Sequence, residues 1–271
     1  MKGNALIMAS AADTALSGPP LFRNCTSAYL DIGANKGVKI EEVLAGRHDS
    51  FARFFSPAER SQLCVVGFEP NPSHTAPLRA IESRHRAAGR RVTIIPAAIS
   101  DSNGQATFWS DQDFKAGEWG SSLLRWQREM MPRHTSAVRT VALDWLMRTH
   151  VEAAAPRLVV VKLDIEGAEY DALPPALDTF CRSVDVLLLE MHKRFFKRSW
   201  HGHRPGFSTN LTKVETLVRM LEQLPKRQPP CRTRWVAMGS VERENAHLAR
   251  KQAPPPAAAR RPSRSSTKVA G

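Results

Sequence analysis

Four short apolar runs, each closed by a charged or turn-forming residue, frame this chain. Residues 28–32 run through Asp31 into Gly33, 63–68 into Glu69, 158–161 into Lys162-Leu163-Asp164, and 184–189 into Glu190. Continuous apolar runs bounded by turn residues predict parallel strands covered on both faces. Between them the apolar positions return at helical spacing: Ile40, Val43 and Leu44, then 74–88, 168–180, and 211–224 with Val214, Leu217, Val218 and Leu221. Residues 92–96 and 234–238 read as further strands, and 105–109 and 138–141 as a β-excursion before a helix over 143–149. Pro174-Pro175 predicts that the helix over 168–180 is kinked or divided. Strands alternating with helices predict a three-layer α/β domain with a mostly parallel sheet.

The domain is expected to span 27–243. Residues 1–26, broken by Gly18-Pro19-Pro20, form a flexible or draped leader, and 244–271, rich in Pro, Ala, Ser and Arg, form a disordered basic tail. The stretch 47–62 looks like an insertion whose Phe51, Phe54 and Phe55 pack under the sheet edge.

Candidate chemistry collects at the strand ends, where an open parallel sheet binds its ligand. Gly33 suits a tight turn, and Gly37 lets a helix begin hard against its surroundings. The spacing D-x-G-x-x-x-G differs from the G-x-G-x-x-G of pyrophosphate-binding folds, and a carboxylate at Asp31 suits a ligand with an ammonium group. Glu69 stands where an acid accepts both hydrogen bonds of a vicinal ribose diol. Lys162 and Asp164 share a face by period two, so they either form an internal ion pair or face a polar crevice. His192, also at a strand end, is a candidate general base or a surface loop histidine. Asp101 either meets a ligand or caps the turn at 102–104.

Taken in order, Asp31-Ile32-Gly33-Ala34-Asn35-Lys36-Gly37, Gly67-Phe68-Glu69-Pro70-Asn71-Pro72 and Lys162-Leu163-Asp164-Ile165-Glu166-Gly167-Ala168-Glu169 resemble the FkbM family of S-adenosylmethionine-dependent methyltransferases, from about Ala28 to Met191. The resemblance implies a Rossmann-like methyltransferase fold with a seven-stranded sheet and S-adenosylmethionine as cofactor. It implies a cofactor site of Asp31, Gly33, Asn35, Gly37, Glu69, Asn71, Ala98 and Asp164, with the adenine beside the small residues at 97–101. It places Asp164, Glu166 and His192 as the catalytic candidates, and Gly120-Ser121-Ser122-Leu123 in a loop over cofactor or substrate. The leading expectation is O-methylation of a hydroxyl on a sugar, small molecule or glycan, with no metal required. Alternatives are an RNA methyltransferase using the basic, aromatic loop 193–204, a binding protein that kept the fold without catalysis, and a divalent-ion cluster of Asp164, Glu166 and Glu190.

Composition changes this picture little. The net charge of +13 invites a nucleic-acid reading, but Arg250, Lys251, Arg260, Arg261, Arg264 and Lys268 place six of the positive charges in the tail. Cys25, Cys64, Cys181 and Cys231 show no C-x-x-C, so reduced thiols and a cytoplasmic setting are expected. The opening residues faintly resemble a signal peptide, which Asp13 interrupts, and no apolar run approaches the length of a membrane helix.

Overall fold

Strand Ser27–Ile32 (β1) pairs in parallel with Leu63–Phe68 (β2) on one side and with Leu158–Leu163 (β7) on the other, and the rest of the sheet grows outward from these ladders. The computed structural model describes residues 15–47, 51–110, 121–124, 134–192 and 211–239. Arg91–Ile95 (β3) flanks β2, while Val186–Leu189 (β8) and Arg234–Ala237 (β9) extend the other side, giving the order β3-β2-β1-β7-β8-β9. Every pairing in this sheet is parallel. The expected seven strands are thus six among the described residues. The chain winds outward from β1 to β3 and returns at β7, so the β1/β7 boundary is the topological switch point.

The predicted β-excursion is a separate small sheet. Ala98–Ser100 (β4) pairs in parallel, and Gly104–Ser110 (β5) antiparallel, with His134–Ala142 (β6).

Alternation along the strands divides the core into two layers. Ala28, Leu30 and Ile32 of β1 join Val159, Val161 and Leu163 of β7 on one face. Helix Glu169–Ser183 (α5) covers them with Leu173, Ala176, Leu177 and Phe180, and helix Leu211–Gln223 (α6) adds Val214, Leu217 and Leu221. On the other face Tyr29, Val65, Val160 and Leu188 meet Ile40, Val43 and Leu44 of helix Val38–Ala45 (α1) and Leu78 and Ile81 of helix Thr75–Ala87 (α3). Each fully buried aliphatic side chain contributes about 1.5–3 kcal/mol, so the two layers supply most of the driving force. Phe51 and Phe55 are buried in this second layer, as expected of the inserted stretch, which also carries helix Pro57–Ser61 (α2) capped by Ser56 and Glu59. Helix Leu143–Leu146 (α4) continues into a π-helical turn, Met147–Glu152.

Helix α5 holds Pro174 and Pro175 within a single element, so it is not divided. The described part of the leader is draped on the domain, with Leu16 and Phe22 buried in the first core layer. One expectation is corrected here. The cysteines are not reduced thiols: Cys25 is bonded to Cys64 and Cys181 to Cys231, with sulfur separations of 2.13 and 2.08 Å. Partners 39 and 50 residues apart are brought together by β1 lying beside β2 and by α5 lying against the segment before β9. The basis for a cytoplasmic setting goes with those thiols. Among the described residues no helix is long and apolar enough to cross a membrane. The loop 193–204 and the tail lie outside the described residues.

Candidate active site

The carboxyl ends of β1, β2 and β7 open into one cleft of about 410 Å³, lined by Gly33, Asn35, Glu69, Pro70, His74, Phe108, Ser121, Asp164 and Glu166. Gly33 makes this convergence possible. Its φ is +81°, and a Cβ there would lie 1.8 Å from the carbonyl oxygen of Asp164, so only glycine lets the β1 and β7 ends come this close. The Gly33 and Ala34 amides donate to the Phe68 carbonyl at 3.0 and 2.9 Å, which ties the turn to β2 as well.

Glu69 leaves the end of β2 with 7% of its surface exposed. Its Oε2 accepts from the Asn35 amide at 2.7 Å and its Oε1 from the Asn71 amide at 2.8 Å. A carboxylate offers about four lone-pair sites, so the two amides fix its plane and leave one site on each oxygen. His74 Nδ1 also faces Glu69 Oε1, at 3.7 Å. An adjoining apolar cleft of about 270 Å³, lined by Ala97, Ala98, Ile99, Phe108 and Leu123 among others, shares Gly33 and Pro70 with the first.

Several sequence candidates make contacts within the protein. Asp31 is 0% exposed and stands opposite Lys162 in the β1/β7 register, with Lys162 Nζ 3.0 Å from its Oδ1. Buried and ion-paired, it is not among the residues that line the cleft. Burial pushes its carboxyl above the ordinary range, though Lys162 opposes this. Gly37 faces α3, where an added Cβ would lie 2.6 Å from Ile81 Cδ1, so it serves helix packing. Asn71 caps the turn Pro72–His74 by accepting from the Ser73 amide at 3.0 Å. Asp101 accepts from Ser100 Oγ and Ser102 Oγ, the capping alternative.

Lys162 also lies 3.3 Å from Asp164 Oδ2 and donates to the Gly33 carbonyl at 2.6 Å. Burial alone would favour the neutral amine. The Asp31 and Asp164 carboxylates outweigh it and raise the ammonium above the ordinary lysine value. The ion pair and the polar crevice are therefore both present, because Lys162 points inward between two acids while Asp164 also lines the cleft.

Beyond Asp164 the chain turns sharply. Glu166 has a φ of +53° and Gly167 of +100°, and the Glu166 carbonyl accepts from Ser122 Oγ at 2.7 Å. A non-glycine residue in the left-handed region costs of order 1–3 kcal/mol, which marks the turn as a functional candidate. Ser122 brings the 121–124 segment against this turn; Gly120 lies outside the described residues. Glu169, 0% exposed at the start of α5, accepts from the Gly167 amide at 2.9 Å, the His192 amide at 2.9 Å and His192 Nδ1 at 3.0 Å. His192 Nε2 faces Glu166 at 3.4 Å, Glu190 at 3.7 Å and Asp164 at 3.8 Å. Burial would lower the imidazole pKa, but the Glu166 and Glu169 carboxylates prevail and raise it to about 10. These carboxylates therefore favour the protonated imidazole.

The structure brings together Gly33, Asn35, Glu69, Asp164 and Glu166 around one cleft and sets Ala98 in its neighbour. It adds three groups that sequence reasoning passed over. Glu169 had a signal, an acid in the first turn of a helix after Gly167. His74 and Phe108 had none, since their approach to the cleft depends on how α3 and β5 pack.

A family model described as the Methyltransferase FkbM domain matches residues 31–226. A solved structure, methyltransferase FkbM from Methylobacillus flagellatus, is similar over 61% of this chain at 15% identity with a TM-score of 0.35. The matched region spans about a third of that protein, 35% of its chain. No curated protein matches.

Proposed function

Because the chain belongs to the FkbM methyltransferase family, we propose that it transfers a methyl group from S-adenosylmethionine to a hydroxyl of a sugar, small-molecule or glycan acceptor. One observation carries the reading: Glu69, oriented for a diol, and the Asp164–Glu166 turn line the same cleft from the ends of β2 and β7. Glu69 would accept the two ribose hydroxyls, and Ala97, Ala98, Ile99 and Phe108 would enclose the adenine. When bound, the cofactor's sulfonium supplies an activated methyl group, so the protein's work is alignment and proton removal.

The acceptor hydroxyl is a poor nucleophile until its proton leaves as the new carbon–oxygen bond forms. Asp164 and Glu166 both line the cleft, with Asp164 Oδ2 3.3 Å from Lys162 and Glu166 Oε1 3.4 Å from His192. Of the two we assign the proton to the Glu166 carboxylate, which sits on the left-handed turn beyond β7. The acids at this end also favour a hydroxyl-bearing acceptor over RNA, whose phosphates they would repel. The two disulfides favour an oxidising compartment over the cytoplasm.

Calorimetry with S-adenosylmethionine and S-adenosylhomocysteine, followed by labelled-methyl transfer to a panel of hydroxylated acceptors, tests this. The expected result is cofactor binding, retained in Glu166→Gln while transfer falls by about 10²-fold. A folded wild type that binds neither compound would overturn it.

A further inference from the structure

We propose that Asp164, Glu190 and His192 form a binding site for one divalent first-row transition-metal cation at the acceptor end of the cleft. The ligand set comes from the ends of adjacent strands: Asp164 follows β7, and Glu190 and His192 follow β8. One donor atom from each lies within 4.8 Å of the other two.

The histidine supplies an observation separate from the acids. Its ring is fixed from behind by Glu169, which takes both the Nδ1 contact at 3.0 Å and the backbone amide at 2.9 Å while its other oxygen holds the Gly167 amide. A carboxylate bonded to one ring nitrogen, with the other nitrogen turned toward further donors, is how proteins orient metal-ligating histidines. Nε2 lies 3.8 Å from Asp164 Oδ1 and 3.7 Å from Glu190 Oε1. Glu166 Oε1 is nearer still, at 3.4 Å; all three distances exceed the ~2.7–2.9 Å of a charge-assisted hydrogen bond, and a bound cation would replace the proton that Nε2 shares with these acids. The distances fall within the spread of donors that share one ion at ~2.0–2.2 Å from each. The Glu190 side chain is 47% exposed.

Charge points the same way. Asp164, Glu166, Glu169 and Glu190 converge around Lys162 and His192, leaving an acidic excess that a dication would balance. One imidazole with two carboxylates suits Mn²⁺, Fe²⁺ or Zn²⁺ better than an all-oxygen cation such as Ca²⁺. Three protein ligands leave coordination positions for an acceptor hydroxyl, whose O–H bond the cation would polarise. The proton then passes to Glu166 as the oxygen–methyl bond forms. This catalytic role rests on the methyltransferase reading; the binding site does not.

The test uses the full chain, stripped with chelator and titrated with Mn²⁺ while free Mn²⁺ is followed by its paramagnetic resonance signal. S-adenosylhomocysteine binding is measured on the same sample. The expected result is one Mn²⁺ per chain, displaced by Zn²⁺, with affinity lowered at least tenfold in Glu190→Gln and in Asp164→Asn. Glu190→Gln alters an exposed side chain, so its folding is not at issue. Absence of Mn²⁺ binding by protein that binds the cofactor compound, or binding unchanged in both variants, would overturn the site and leave an ion-paired cluster only. Mn²⁺ binding with those losses but no cofactor binding would uphold the site and remove the methyltransferase reading instead.

Discussion

Lys162 lies opposite Asp31 in the β1/β7 ladder and reaches past it, with its Nζ 3.0 Å from Asp31 Oδ1 and 2.6 Å from the carbonyl oxygen of Gly33. One buried ammonium therefore joins a strand interior to the turn that floors the cleft. Removing it in Lys162→Met leaves Asp31 buried without its partner, a loss of about 3–5 kcal/mol. Urea unfolding is the check, and Asp31→Leu combined with Lys162→Met should recover part of the loss.

Glu69→Gln keeps the side-chain shape and removes the charge and one acceptor oxygen. Binding of S-adenosylmethionine should weaken at least tenfold, or about 1.4 kcal/mol, with the melting temperature little changed. Full affinity in this variant would detach Glu69 from the cofactor.

The two glycines of the first turn should respond differently to alanine. At Gly33 the new methyl group would lie 1.8 Å from a backbone oxygen, whereas at Gly37 it meets the Ile81 and Leu78 side chains at 2.6 and 3.0 Å. Side chains can shift and the β7 backbone cannot. Gly33→Ala should prevent accumulation of folded protein, while Gly37→Ala should fold with a lowered melting temperature, by thermal denaturation.

His150 is buried, and its Nδ1 accepts from the Leu21 amide at 3.2 Å, which ties the leader to the π-helical turn. Burial holds its pKa below the ordinary imidazole value. The folded state thus binds the proton less readily than the unfolded chain. Its contribution is complete above the unfolded pKa of about 6.5 and is lost as pH falls below it, by at most about 1.4 kcal/mol per pH unit. Urea midpoints between pH 8 and 5 should fall on acidification, with a shallower fall in His150→Gln.

Both disulfides should be present in protein made under oxidising conditions. Thiol titration of the denatured, unreduced chain should then find no free cysteine. Replacing Cys181 and Cys231 by serine should cost about 2–4 kcal/mol, read from urea unfolding.

The chain's own pattern was enough for the strand–helix alternation, the places where strands end, and the glycine turn between β1 and α1. Apolar periodicity and turn chemistry are local, so 63–68 was legible as a buried parallel strand and Glu69 as the acid at its end. Tertiary structure decided which groups those ends bring together. Lys162 meets Asp31, 131 residues away, because β7 returns beside β1 in a particular register, and that contact holds Asp31 in a buried ion pair. Glu169 locks His192, and the cysteines pair, for the same reason. Partner choice between charged or thiol side chains depends on distances across neighbouring elements, and those distances follow from strand order and helix packing, which no local period encodes.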